Sequence, residues 1–387
     1  MTPIKIGFLT PYSSIYPNFF PHLATGFYLG LGQKPGKRAD IELIPEFAGS
    51  GGTSSTTEAT KKLLNFTNVD ILSGMISYRS LPDISPLIDS RKDALGFFFD
   101  MGEILPSFDY HSPNIFFNSH QLYQSQYALG YWAEKEYKQP GLIVTPVYNA
   151  GYHLHSSFQA GISAAGGKTV LQSVIPYDSN NPHHLNIESI FEKIKKEAPA
   201  YVHALFVGPQ GNEFLTQWKS KSWTKDIPLL VAENMLYSDM LDDVKHLGLN
   251  LYGAMLWNSN SENKANRQFV KKFKQSTGQP PNLYALQGYE AGLVFKELLR
   301  PLKKRQWDVV KEGLQKKSIE SPRGIKSFCA KKGFSTPEID IVKIKTDTSG
   351  IYHTIIDIGK EMNLNNPMTN HIKSEIDSGW VNPYLCI

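Results

Sequence analysis

Strand-length apolar runs alternate with helix-period segments through most of this 387-residue chain, and nearly every run stops abruptly at polar, aromatic or acidic residues. Ile4–Leu9, Ile41–Phe47, Asp70–Gly74, Leu95–Phe99, Gly141–Thr145, Val170–Ile175, His203–Val207, Ile227–Val231 and Leu251–Trp257 read as strands. Amphipathic segments at 18–32, 54–66, 81–92, 121–137, 151–165, 187–198 and 212–219 read as the helices between them. A period switching between 2 and 3.6 in this way predicts βαβ units, with parallel strands joined by right-handed crossovers. The clearest cases are Leu142-Ile-Val-Thr-Pro-Val-Tyr148-Asn-Ala-Gly151 and Leu229-Leu-Val-Ala-Glu233-Asn234. In open α/β sheets, ligands collect where parallel strands end.

The rhythm runs once up to about residue 114 and restarts at about 121, which implies two α/β units of similar size. A length of 387 residues also exceeds what one core usually serves. Helices are expected over 262–277 and 284–299. From Gly324 the pattern changes: Ile339–Lys345 and Ile351–Ile358 flank Asp347-Thr-Ser-Gly350, a hairpin signal. No stretch approaches the roughly 18 apolar residues that span a bilayer. The net charge is +4, and Lys303-Lys-Arg305 and Lys316-Lys317 are short, scattered clusters that read as solvated helix faces, so no nucleic-acid partner is expected. Cys329 and Cys386 either pair or are two separate buried thiols. Met1-Thr-Pro-Ile-Lys-Ile-Gly7 leads directly into a strand, so the protein is either cytoplasmic or written without a removed export signal.

The motifs argue against chemistry. Ala48-Gly-Ser-Gly-Gly-Thr-Ser-Ser55 follows a strand and opens a helix, but it matches neither phosphate-binding spacing and lacks the following Lys. It reads as a βα loop with helix caps. His153 and His155 are two apart and point to different helix faces, and His183-His184 lies in a polar loop, so no metal site is expected. No G-x-S-x-G elbow occurs, and neither Cys sits at a strand-to-helix turn. Asp100 and Glu233 stand at strand ends as a formal acid/base pair, yet no nucleophile or cofactor accompanies them. No catalytic residue, cofactor or metal is expected.

The strand ends carry the better signal. Thr10-Pro-Tyr12-Ser13, Ser77-Tyr78-Arg79, Asp100-Met101-Gly102, Tyr148-Asn149, Gly208-Pro-Gln210 and Glu233-Asn234 concentrate aromatic, hydroxyl and acidic groups. A polar small molecule needs such a mixture: hydroxyls and helix starts for an anion, a carboxylate for a cation, aromatics for apolar faces.

In this order, Ile4-Lys-Ile-Gly-Phe-Leu-Thr-Pro11, Asp70–Gly74, Val144-Thr-Pro-Val-Tyr148-Asn-Ala-Gly151, Glu233 and Pro281-Asn-Leu-Tyr284-Ala-Leu-Gln-Gly-Tyr289-Glu-Ala291 resemble the type I periplasmic binding proteins, in their branched-chain amino acid branch. The resemblance spans about residues 3–358. It implies two doubly wound parallel-sheet lobes joined by a three-strand hinge. Lobe one would hold 1–118 plus 250–325, and lobe two 119–249 plus 326–387, with crossovers near 118–121, 249–251 and 325–328. It also implies a monomeric periplasmic or cell-surface receptor that closes on a small amino-acid-like ligand and delivers it to an ABC transporter permease.

Carried over residue by residue, ligand positions fall near Ser13 and Phe19 and at Ser77, Tyr78, Asp100, Met101 and Gly102 in the first lobe, and at Tyr148, near Gln210 and at Glu233 in the second. The aromatic residues Tyr12 and Trp257 join them as candidates for an apolar part of the ligand. Glu233 would pair with a ligand ammonium, and Tyr148 would cover the ligand. Asp100-Met101-Gly102 departs from the family, which offers a hydroxyl there; the added acid favours a cationic or zwitterionic ligand with an apolar or aromatic part. Two other readings stay open: a ligand-sensing domain of the same architecture, and a nucleotide-using α/β enzyme.

Overall fold

The computed structural model describes residues 2–13, 15–34, 39–106, 112–146, 152–168, 170–175, 187–329 and 335–374. Strands β1 (Ile4–Thr10), β2 (Ile41–Phe47), β3 (Ile71–Met75), β4 (Leu95–Asp100) and β5 (Ile115–Ser119) form one parallel sheet, ordered β2-β1-β3-β4-β5. Helices α1 (Phe19–Leu31), α2 (Thr53–Lys62) and α3 (Leu81–Asp89) connect them. The chain then passes into α4 (Leu122–Tyr137), β6 (Leu142–Pro146), α5 (Leu154–Ala164), β7 (Leu171–Ile175), α6 (Glu188–Glu197) and β8 (Val202–Ala204). Next come α7 (Gly208–Ser220), β9 (Leu229–Val231), α8 (Ser238–Leu241) and β10 (Asn250–Met255).

After β10 the chain returns to the first sheet through α9 (Lys264–Thr277), α10 (Leu283–Glu297), α11 (Leu299–Lys303) and α12 (Trp307–Lys316). The hairpin β11 (Ser318–Ser321) and β12 (Gly324–Ser327) follows, packed on α10 and α12. The chain then crosses again, and β13 (Asp340–Asp347) and β14 (Gly350–Ile358) join antiparallel to complete a second sheet, ordered β14-β13-β10-β9-β8-β6-β7. Helix α13 (Pro367–Ser374) closes the described chain. The strands β3, β4 and β6 are covered on both faces and bury every residue, which is why they read as continuous apolar runs rather than alternating ones.

Two differences from the sequence reading position the site. Strand β5 lies where only a junction was expected; Ile115-Phe-Phe117 is too short an apolar run for a period to register. Strand β10 is hydrogen-bonded between β9 and β13, so residues 250–255 belong to the second sheet and the segment returning to the first sheet starts after Met255. The α12 helix and the β11–β12 hairpin were also not anticipated.

The same packing device serves both halves. Helices α1 and α10 meet with their backbones nearly in contact: a methyl at Gly26 or Gly30 would strike the Ala285 or Tyr289 carbonyl, and one at Gly288 or Gly292 the Leu23 or Phe27 carbonyl. In the second half, Gly130 of α4 and Gly161 of α5 do the same against Phe158 and Tyr127. The close approach is what brings Glu290 and Gln287 of α10 against the crossover strands. Gly288→Val should therefore separate α1 from α10 and cost about 1–3 kcal/mol, read as a lower urea midpoint with an unchanged slope.

Candidate ligand-binding cleft

The C-terminal ends of the parallel strands in the two sheets face each other. The loop after β1 touches the start of α7 after β8, so closely that any side chain at Gly208 (φ +54°) would meet Ile15. A cavity of about 280 Å³ lies beside this contact. Phe19, His22 and Tyr284 line it from the first half, and Pro209, Asn212 and Met240 from the second. On the other side, the His153 amide donates to the Glu103 carbonyl at 2.9 Å, and the Leu105 amide donates to His153 Nδ1 at 2.9 Å. The halves thus meet along a cleft bounded by strand-end loops.

The floor of the cleft is built where three chain segments cross. Residues 118–121 are fully buried, and Gln121 is held at φ +67°, a left-handed backbone that is uncommon for a side-chain residue. Gly102 (φ +77°) packs directly on the Gln121 backbone, where a Cβ would not fit. Around this turn runs a chain of ionisable groups. Arg323, in the β11–β12 turn, makes a two-pronged pair with Glu290 of α10: Nε to Oε1 at 2.7 Å and Nη2 to Oε2 at 2.8 Å. Its Nη1 donates to His120 Nδ1 at 3.0 Å. His120 Nε2 then meets Glu233 Oε1 at 2.9 Å. Because a guanidinium only donates, His120 Nδ1 is an acceptor, so its proton sits on Nε2 and points at Glu233. Lys326 donates to the Ser119 carbonyl at 3.0 Å.

The protonation states follow from these contacts. Burial pushes the His120 imidazole down, against the pull of Glu233, and it stays neutral. Burial alone would raise the Glu233 carboxyl, but His120, the Tyr237 hydroxyl at 2.7 Å and the Leu256 amide at 2.9 Å hold it below the usual carboxylate range. All three donors converge on Oε1. Oε2 is buried and has no partner among the described residues. Burial, then the Arg323 charge, brings Lys326 down to about 7. Burial lifts Asp100 to about 6 although Ser119, Tyr78 and Lys326 favour its ionised form.

The expected ligand residues separate into groups. Glu233 (0% exposed) and Asp100 (2% exposed) are brought together around residues 119–120, where the chain segments cross, and neither lines the cavity. Asp100 does not stand open to a ligand as expected: Ser119 donates to its Oδ1 at 2.8 Å and Tyr78 to its Oδ2 at 3.1 Å. Met101 is buried, and the Met101 and Gly102 carbonyls accept from Leu122 and Tyr123, so this loop serves the crossover. The Ser77 hydroxyl accepts from the Arg79 amide, and that of Ser13 from the Tyr16 amide. Phe19 borders the cavity, and Gln210 lies in the first turn of α7 beside it. Trp257 is enclosed, stacked on Tyr237 with its indole N–H on Asn266. Tyr12 is half exposed. Tyr148 and Cys386 lie outside the described residues; Cys329 is a free thiol.

Sequence reasoning missed His120, Glu290, Arg323 and Lys326. One signal was available: Glu290 is the single acid in the otherwise uncharged run Leu283–Val294, and a charge on a buried helix is expected to have a partner.

A family model of periplasmic binding proteins matches residues 3–349. The chain belongs to the periplasmic binding protein family. Its fold is shared with a substrate-binding protein from Sphaerobacter thermophilus (19% identity, 92% of this chain and 98% of that one, TM-score 0.76). It is also shared with an R. palustris ABC-transporter solute-binding protein in complex with benzoate (20% identity, 93% and 98%, TM-score 0.71) and with a leucine-binding protein from Thermotoga maritima (12% identity, 92% and 99%, TM-score 0.68). No curated protein sequence matches. The two-lobed α/β architecture with three crossovers is thus that of a periplasmic binding protein, a family whose members are transport solute receptors.

Two outcomes test the cleft floor. Glu290→Ala leaves the Arg323 guanidinium buried without its counter-charge and should cost about 3–5 kcal/mol, measured by denaturant unfolding. For Asp100, the ordinary carboxyl value is 3.8 and the folded one about 6, so the native state holds the proton longer. The stability it supplies is full below about pH 4 and lost as the pH rises to about 6. The stability difference between the wild type and Asp100→Asn should change across that window by up to about 1.4 kcal/mol per pH unit and be flat above about pH 7.

Proposed function

We propose that this chain captures a small polar solute bearing an amine, an amino acid or related compound, in the cleft between its lobes. It works in the periplasm or at the cell surface and hands its cargo to the permease of an ABC importer. One observation carries the reading of the ligand: Glu233 is ionised and wholly buried, yet every donor it meets among the described residues falls on one oxygen. A buried carboxylate oxygen without a donor is costly, by about 1–3 kcal/mol or more. A ligand ammonium removes that cost. Aromatic surfaces at Phe19, Tyr16 and Tyr284 beside the cavity suit an apolar portion of the same ligand.

Closure follows from differential contacts. A ligand bound first to one lobe shifts the open–closed ratio only by what it gains from the other; reversing a 1:99 ratio takes roughly 5.5 kcal/mol. One charge-assisted bond supplies about 1.5–3 kcal/mol, so Glu233 acts together with other second-lobe groups. Tyr148 is part of this proposal as the residue covering the ligand.

A thermal-shift and calorimetric screen with leucine, isoleucine, phenylalanine, benzoate, NAD and ATP tests the reading. Amino acids should raise the melting temperature, and Glu233→Gln should weaken their binding about tenfold or more while leaving the melting temperature of the free protein nearly unchanged. Stabilisation by benzoate with none by amino acids overturns the amine assignment, and stabilisation by nucleotides alone overturns the receptor.

A further inference from the structure

Glu233 does not set its own orientation. It sits at the end of β9, in the second lobe, where the Tyr237 hydroxyl and the Leu256 amide donate to its Oε1; the third donor comes from elsewhere, His120 from the first crossover, and behind His120 stands the guanidinium of Arg323 from the turn before the third. Arg323 also donates to the carbonyls of His120 and Ser119, at 3.3 Å each, so it holds the crossover backbone as well as the ring. It is itself locked by both oxygens of Glu290, with the Ser321 hydroxyl on Glu290 Oε1 at 3.0 Å. Glu290 lies on α10, in the first lobe. An unbroken path of hydrogen bonds therefore runs from the first-lobe core through the crossing segments to the second-lobe carboxylate.

We propose that Arg323 and His120 are specificity-determining positioning residues: Arg323 fixes the His120 tautomer, His120 donates to Glu233 Oε1 beside Tyr237 and Leu256, and Oε2 is left as an acceptor for a ligand cation. The proposal rests on the reading of Glu233 as the amine acceptor. It adds that amine selectivity is set from the hinge, by groups that do not touch the ligand. It follows that a change in crossover geometry is felt at Glu233, because the ring that aims the carboxylate is bonded to the crossing backbone.

The arrangement predicts which side chains can replace the imidazole. Glutamine at position 120 offers an amide N–H toward Glu233 and a carbonyl toward Arg323, reproducing the neutral ring with its proton on Nε2. Leucine offers neither. The test has two arms. In the wild type, long-range nitrogen–proton NMR spectra of labelled histidine should show His120 neutral with the proton on Nε2 at pH 7. A proton on Nδ1, or on both nitrogens, overturns the relay.

In the second arm, calorimetry compares leucine with 4-methylpentanoate and phenylalanine with 3-phenylpropanoate, each pair differing in the amine. His120→Leu should reduce the preference for the amine-bearing member about tenfold, and His120→Gln should restore it. Arg323→Lys should fall between the two, since a lysine cannot hold the ring and Glu290 by a planar fork. Equal loss for both members of a pair, or no rescue by His120→Gln, means the residues only hold the fold and overturns the proposal. If the wild type binds no amine-bearing probe, the proposed function fails, and the relay is decided by the His120 tautomer alone.

Discussion

The buried pair between Arg323 and Glu290 is the point on which the two-lobed structure turns. Arg323 has almost no exposure, and it engages Glu290, His120 and two main-chain carbonyls at once. Taking a guanidinium and a carboxylate out of water is expensive, and the expense is offset only when geometry is good and remaining donors are satisfied. Here the fork is two-pronged and the remaining donors are spent on the crossing segment. What the pair supplies is registry: it ties a turn near the third crossover to the first crossover and to a first-lobe helix.

That registry explains the distribution of acids along the cleft floor. Asp100 and Glu233 look equivalent by position, each at the end of a parallel strand. Their surroundings make them opposites. Asp100 receives two hydroxyl donors, one on each oxygen, and its burial lifts it toward neutrality. Glu233 receives a tautomer-fixed imidazole, a phenol and an amide on one oxygen and is held ionised. An acid with both oxygens spent serves the fold. An acid kept charged with one oxygen spare is the group that the proposed function assigns to the ligand.

The α1–α10 glycine contact belongs to the same logic. Only backbones at near contact bring Gln287 close enough to donate to both the Asp100 and Asn118 carbonyls, at 2.7 and 2.9 Å. The crossover segment 118–121 is therefore gripped by a helix whose position depends on four glycines. The strained backbone at Gln121 persists because Gly102 packs on it while Gln287 and Arg323 hold the preceding residues 118–120 from different elements.

Most elements were legible in the chain, because buried parallel strands leave continuous apolar runs and their helices a 3.6-residue period. The βαβ order and the late hairpin came from that local patterning, and the family resemblance from an ordered set of particular segments such as Val144–Gly151 and Pro281–Ala291. So did the choice of Glu233, since a strand end in an α/β protein points to the cleft. What the linear order could not carry was partnership. Glu290 and Arg323 are 33 residues apart, His120 and Glu233 are 113 apart, and His120 and Arg323 are 203 apart. No local period relates them, and a hydrogen bond exists only once tertiary packing has brought both ends to a few ångströms. For that reason the sequence by itself determined the lobes and the strand-end loops. Only the folded structure decided that Asp100 is bonded into the hinge and that Glu233 keeps one charged oxygen free.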